Sequence, residues 1–148
     1  MILFVCLGNI CRSPMAEFVM KDLLQKEEMR IKVMSAGLID DHKGEDMHKG
    51  TRNKLESQGI KPQGFQSKLL TQDLCQEASL IVAMDRRNKQ SILMRFYGCE
   101  SKLSLLTDFI PEMGYEEVPD PWYSRNFDET YELVLAGSKA ILEKLKNP

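Results

Sequence analysis

The segment FVCLGNICRSPMAE, Phe4 to Glu17, brings a cysteine, an arginine and a serine close together around a loop. An apolar run ends at Cys6, a glycine-containing turn leads to Arg12, and Ser13-Pro14 opens a helical pattern. A loop between a strand and a helix N-terminus aims several backbone N–H groups at one spot, where the helix dipole adds partial positive charge. That spot favours an anion. Leu7, Gly8, Asn9, Ile10 and Cys11 form the loop, and Gly8 and Asn9 tolerate the unusual dihedrals that fold amides inward. Arg12 can close the ring, because a planar guanidinium forms paired hydrogen bonds with two oxygens of a phosphate. The same surroundings favour the thiolate of Cys6. A thiolate facing a phosphate ester can attack phosphorus, giving phosphocysteine and a departing alcohol or phenol. Ser13 can cap the helix, and its hydroxyl can also donate to the sulfur.

Such a reaction needs a proton for the leaving oxygen and a base for the attacking water. The stretch VPDPWYS, Val118 to Ser124, offers both in one residue. Pro119 and Pro121 hold Asp120 in a stiff turn, and Trp122 and Tyr123 supply flat apolar surface beside it. Asp120 could act as acid in the first step and base in the second. An ordinary Asp-Pro turn is the competing account of Asp120, and core or rim packing that of Trp122 and Tyr123. Cys11 is either a small neutral neighbour of the loop or a partner able to trap oxidised Cys6 as a disulfide. Cys75 and Cys99 read as structural. His42 and His48 fall in the polar segment from Asp40 to Lys54 and read as solvated surface. A metal site built from Cys6, Cys11 and these histidines matches no common zinc spacing, and no metal or other cofactor is expected.

These residues need a scaffold that brings position 6 to position 120. Ile2–Val5, Ser79–Met84 and the shorter Leu103–Leu106 are unbroken apolar runs of the kind found in parallel strands buried on both faces. Ile31–Ser35 alternates and suits a strand near an edge. Between them lie helical faces. Met15, Val19 and Leu23 form one, with Ala16 and Met20 beside them. Ile92, Leu93 and Phe96 follow a cap at Asp85 and stop before Gly98. Tyr131, Val134, Leu135, Ser138, Ile141, Leu142 and Leu145 follow Asn126 and Glu129, which resemble a capping box. Thr51–Gln58 is weakly patterned. Strands alternating with helices predict an α/β fold with a parallel sheet covered on both faces, a three-layer sandwich that binds ligands beyond the carboxyl ends of its strands.

With 148 residues and 43% apolar side chains, the chain suits a single domain over 1–148. Twenty basic against 22 acidic residues give a net charge of -2, with no basic block, so neither nucleic acid nor a membrane surface is an expected partner. The first apolar run is too short for a signal peptide, which predicts a cytoplasmic protein whose four cysteines stay reduced.

At these motifs the chain resembles the low-molecular-weight protein tyrosine phosphatases. CLGNICRSP is similar to the family's phosphate loop and DPWY to its general-acid loop, and the likeness extends to SAG at Ser35–Gly37, AMD at Ala83–Asp85 and FDETYELV near the end. The resemblance implies a four-stranded parallel sheet and metal-free hydrolysis of phosphotyrosine, in a protein or a small aryl phosphate, through phosphocysteine. It implies Cys6 as nucleophile, Arg12 as clamp and Asp120 as acid and base. Asn9, Ser13 and Ser35 brace the loop, Cys11 is associated with reversible oxidation, and a monomer or weak homodimer is expected. Three positions depart from the family pattern. Asp41 stands near the place of an aromatic cleft wall, where an acid repels anionic peptides. Gly64 or Phe65 replaces a histidine, and after DPWY the chain continues Ser124-Arg125-Asn126 without a glycine, where Arg125 could place a positive charge at the cleft rim. Arsenate reductases of this fold need two further cysteines close together, whereas Cys75 and Cys99 are far apart in sequence. Protein arginine phosphatases carry threonine at the position of Ile10. A phosphocysteine carrier is the alternative of another class.

Overall fold

The computed structural model describes residues 1–148. Its centre is the strand β1 (Ile2–Cys6), buried along its whole length. Parallel partners flank it: β2 (Val33–Gly37) on one side, β3 (Leu80–Ala83) on the other, and β4 (Leu103–Leu105) beyond β3, giving the order β2-β1-β3-β4. The Ile31–Ser35 expectation therefore shifts by two residues toward the carboxyl end, and β2 is an edge strand. Of the other expected strands, β1 runs one residue further, to Cys6, whereas β3 and β4 are slightly narrower, since Leu106 turns out of β4 into a 3-10 turn, Leu106–Phe109.

Alternation along β1 explains why its sequence carries no polar position. Ile2, Phe4 and Cys6 join one core cluster, with Met15, Val19 and Met20 of α1 (Arg12–Lys26) and Leu133, Val134 and Ile141 of α6 (Phe127–Lys146). Leu3 and Val5 join a second cluster on the opposite face, with Cys75 of α3 (Gln72–Glu77) and Ile92 of α4 (Arg86–Arg95). A strand with helices on both faces has no solvent side, so both residue sets are apolar. Cys75 and Cys99 are fully buried in that second cluster, as structural residues would be, and burial pushes the Cys75 thiol up to about 12.

Helix ends follow the sequence closely. Asp85 caps α4 by accepting from the Asn88 N–H, and Asn126 caps α6 by accepting from Glu129. The weakly patterned segment is the helix α2 (Lys49–Ser57), which buries only Thr51 and Leu55 and so shows no apolar face. One cap differs from expectation. Ser13 lies inside α1, and Cys11 takes the N-cap position without a side-chain hydrogen bond. The serine hydroxyl is engaged elsewhere, at Cys6.

From β1 the chain passes to β2 on one side, and β3 and β4 lie on the other. The strand order therefore reverses between β1 and β3, and a crevice opens there beyond their carboxyl ends. Cys6 ends β1, and Asp85 follows β3 by two residues.

Candidate active site

Beyond Cys6 the backbone folds inward in the expected way. Asn9 adopts a left-handed conformation (φ 56°) and is fully buried. The amides of Leu7, Gly8, Asn9, Ile10 and Cys11 donate to no acceptor within the protein, so a row of N–H groups beside the start of α1 is left for an anion. Gly37, level with Cys6 in β2, makes room for this loop, because a Cβ there would stand 3.0 Å from the Gly8 carbonyl carbon and the Leu7 oxygen.

A chain of side-chain hydrogen bonds holds the loop from behind. Asn9 Nδ2 donates to both Ser13 Oγ and Ser35 Oγ, each at 2.9 Å, and Ser35 Oγ donates to Glu17 Oε1 at 2.6 Å. Lys21 Nζ closes the chain on the other Glu17 oxygen at 2.5 Å. Asn9 Oδ1 accepts from the Lys68 N–H (2.9 Å), and Ser67 Oγ donates to the Gly8 carbonyl (3.0 Å). Ser13 Oγ, which accepts from Asn9, lies 2.9 Å from Cys6 Sγ and is placed to donate to the sulfur whenever it is a thiolate.

Arg12 is only 3% exposed and tightly held. Its Nη1 donates to Asp85 Oδ2 (2.8 Å) and to the Val118 carbonyl (2.9 Å). Those bonds occupy both Nη1 hydrogens and leave the Nε and Nη2 edge for a ligand. Burial works against the guanidinium charge, but Cys6, Asp120 and Asp85 outweigh it and raise the pKa of Arg12.

The acid loop is fastened to the sheet by the Val118 N–H on the Met84 carbonyl (3.0 Å). Asp120 is not a free turn residue but the N-cap of the one-turn helix α5 (Pro121–Ser124). Its Oδ1 accepts from the Trp122 N–H at 3.0 Å, and its Oδ2 lies 3.5 Å from Arg12 Nη2. Burial, followed by the neighbouring Cys6, pushes the Cys11 thiol up to about 12.

The structure brings most of the sequence-derived set to one cavity of about 250 Å³, lined by Cys6, Leu7, Gly8, Ile10, Cys11, Arg12, Asp41, Asp120, Trp122 and Tyr123 together with Ile39 and His42. Asn9, Ser13 and Ser35 are buried behind it. Arg125 is not among the lining residues. Its guanidinium lies over the Trp122 ring (5.7 Å) and beside His48 (3.2 Å).

The histidines also depart from expectation. His42 lines the cavity and sits 5.9 Å from the Trp122 ring, while His48 packs on Trp122 and Phe127. Neither is plain solvated surface. Phe65 is buried edge-on against Phe18. Sequence reasoning also missed Asp85 as the partner of Arg12, and Glu17. An acid inside PMAEFVM, the most apolar part of α1, was the available signal for Glu17.

The family model for low molecular weight phosphotyrosine protein phosphatases matches residues 1–148. The chain belongs to this family. It is 36% identical to the Bacillus subtilis low molecular weight protein-tyrosine-phosphatase YfkJ, over 98% of this chain and 95% of that one. The crystal structure of YfkJ superposes with a TM-score of 0.94 over 99% of this chain and 94% of the other. PtpA of Staphylococcus aureus, also a low molecular weight protein-tyrosine-phosphatase, is 37% identical over 95% of this chain and 90% of its own length. A Drosophila arginine phosphatase has the same fold at 27% identity, with a TM-score of 0.90 over 98% and 97% of the two chains. The protein is thus a cysteine-dependent phosphatase of the phosphotyrosine class, with the expected α/β fold. No helix in it is long and apolar enough to cross a membrane.

Proposed function

We propose that Cys6, Arg12 and Asp120 carry out the hydrolysis in two steps. In the first, the Cys6 thiolate attacks phosphorus, the bond from phosphorus to the phenolic oxygen breaks, and the Asp120 carboxylic acid protonates the departing oxygen. In the second, the Asp120 carboxylate takes a proton from water as the water oxygen attacks phosphorus. The S–P bond then breaks, the sulfur leaves as a thiolate that accepts from Ser13, and inorganic phosphate departs. Arg12 offers its Nε and Nη2 hydrogens to two phosphoryl oxygens, and the loop amides take the rest of the developing charge.

The observation that carries this reading is the 3.5 Å approach of Asp120 Oδ2 to Arg12 Nη2 at the mouth of the loop that starts at Cys6. It sets an acid where the leaving oxygen emerges. Trp122 and Tyr123 on one side, with Ile39 and His42 in the same cavity, form walls suited to a flat aryl group. Phosphotyrosine in proteins is accordingly the substrate class, with small aryl phosphates as simpler substitutes. Asp41 in the lining disfavours peptides with acids next to the phosphotyrosine. We place the reaction in the cytoplasm, in a monomer or weak homodimer, with all four cysteines free.

The test is hydrolysis of phosphotyrosine, phosphoserine and phosphoarginine side by side by wild type, Cys6→Ser and Asp120→Ala. Phosphotyrosine should be cleaved fastest, Cys6→Ser should be inert, and Asp120→Ala should be slowed by about 10² to 10⁴. Stable phosphorylation of Cys6 without turnover would instead make the protein a carrier.

A further inference from the structure

His48 stands between the two loops that meet at the cleft, and its backbone and side chain serve different ones. The His48 N–H donates to the Ile10 carbonyl (2.8 Å), and Thr51 Oγ1 donates to the Cys11 carbonyl (3.2 Å). The first turn of α2 therefore grips the far side of the phosphate loop. The imidazole points to the acid loop. It stacks on Phe127 at 5.1 Å and 26° and meets the Trp122 ring edge-on at 5.7 Å. Gly50 leaves the space for Phe127, since a Cβ there would fall 2.3 Å from its ring.

The hydrogen bonding of this ring depends on its protonation. Nδ1 accepts from the Gly50 N–H at 2.9 Å as the N-cap of α2. Nε2 faces Arg125 Nη1 at 3.2 Å, and a guanidinium can only donate. A neutral imidazole has one acceptor nitrogen, so either tautomer satisfies one of these two donors. The imidazolium has none. It would lose the cap, place its charge against a helix N-terminus, and face Arg125 with like charge.

The other charged groups nearby do not offset this. Lys49 adjoins His48 on its own helix, and Asp128, after Phe127 on α6, is held by Lys54 at 2.8 Å. His42, on the same Trp122 ring, pairs with Glu45 at 3.2 Å. Asp120 turns its carboxylate to the Trp122 N–H and to Arg12. No carboxylate pairs with His48. In line with this geometry, burial first and Arg125 second hold the pKa of His48 below its ordinary 6.5.

We propose that His48 is a positioning residue that ties the acid loop to the phosphate loop only while its ring is neutral, and that protonation releases Arg125 and Trp122 and with them Asp120. Arg125 already holds a left-handed backbone (φ 61°), a conformation that disfavours a non-glycine residue, so its side-chain contacts keep the turn in place. Trp122 transmits the change, because its N–H is the bond that orients Asp120. The kinetic consequence rests on Asp120 being the catalytic acid, whereas the structural tie does not.

Trp122 is the only tryptophan in the chain and reports on the tie directly, since a cationic imidazole against the indole quenches its emission. Emission is followed from pH 7.5 down to 5 for His42→Asn alone and with His48→Asn or Arg125→Gln added, each first shown to be folded by circular dichroism. Asparagine at 48 keeps an N-cap acceptor without a titrating ring. In the His42→Asn background, which removes the other imidazole on the Trp122 ring, a transition with its midpoint below 6.5 should appear, adding His48→Asn should abolish it, and adding Arg125→Gln should move the midpoint upward. A transition that survives in the double variant His42→Asn/His48→Asn, or vanishes in His42→Asn alone, overturns the proposal. Should that double variant not fold, the one with Arg125→Gln decides, and an unmoved midpoint there overturns it.

In the kinetic arm, kcat for an aryl phosphate should fall through the same midpoint by up to about a hundredfold in wild type and not in His48→Asn. An Asp120→Ala enzyme slowed at every pH, beside a wild-type kcat that stays flat through the transition, overturns the proposal. An Asp120→Ala enzyme as fast as wild type removes the acid assignment instead, and the emission data alone then decide on His48.

Discussion

Ser13 Oγ lies 2.9 Å from Cys6 Sγ and accepts from Asn9 Nδ2 behind it, which leaves the serine hydrogen free for the sulfur. The direction of the whole chain is set by its far end. Lys21 and Ser35 both donate to Glu17, Asn9 donates to both serines, and only the sulfur is left to receive the hydrogen of Ser13. A donor placed in this way stabilises sulfur most when it bears negative charge, which is when it leaves phosphorus.

Ser13→Ala should therefore slow breakdown of phosphocysteine more than its formation. A hydrogen bond to a charged group contributes about 1.5–3 kcal/mol, so the loss in kcat should be about 10- to 100-fold. Rapid-mixing kinetics with an aryl phosphate check this, because the variant should show a larger burst of phenol ahead of a slower steady state.

Asp85 has two tasks that mutation can separate. It caps α4 through Oδ1 and holds Arg12 through Oδ2. Asp85→Asn keeps a capping side chain but loses the ion pair, so it should bind vanadate and inorganic phosphate less tightly with little change in melting temperature. Asp85→Ala should lose both, with about 1 kcal/mol of additional instability from the cap. Inhibition constants and thermal melts on the two variants check the separation.

Gly37→Ala should damage the phosphate loop from the neighbouring strand. The added Cβ meets backbone atoms of Leu7 and Gly8 at 3.0 Å, and backbone cannot swing aside as a side chain can. About 1–3 kcal/mol of destabilisation is expected, together with a raised KM, measured by denaturant melts and steady-state kinetics.

Stability should fall on mild acidification because of His48. Its folded pKa is depressed below 6.5, so between that lower value and 6.5 the unfolded chain binds more protons than the folded one. Unfolding free energy then rises with pH across that window and levels off above 6.5. Melting temperatures measured at intervals from pH 5 to 7.5 should follow this slope in wild type, and the slope should be smaller in His48→Asn.

The sheet was legible in the sequence because β1 and β3 are buried on both faces and show it as unbroken apolar runs. Cys6 and Arg12 were legible because a strand, a loop and a helix start stand next to one another in the chain. Asp120 was less so, since its contact with Arg12 spans more than a hundred residues and only its Pro-flanked, aromatic surroundings marked it. Asp85 showed its cap but not its ion pair, because caps are local and ion pairs across a crevice are not. His42 and His48 looked like surface residues in a polar segment. Their partners Trp122, Arg125 and Phe127 come from a distant stretch, and no periodicity records such a meeting. The short helix α2 hid for the opposite reason, as it buries too few side chains to leave a stripe.

The most direct test of the account is to catch the intermediate. Wild type mixed with an excess of aryl phosphate and quenched in acid within one turnover should carry a single phosphoryl group, and peptide mapping should find it on Cys6. Ser13→Ala should carry more of it. Turnover of phosphotyrosine that proceeds with no phosphoryl group on Cys6, or that persists in Cys6→Ser, would contradict the account.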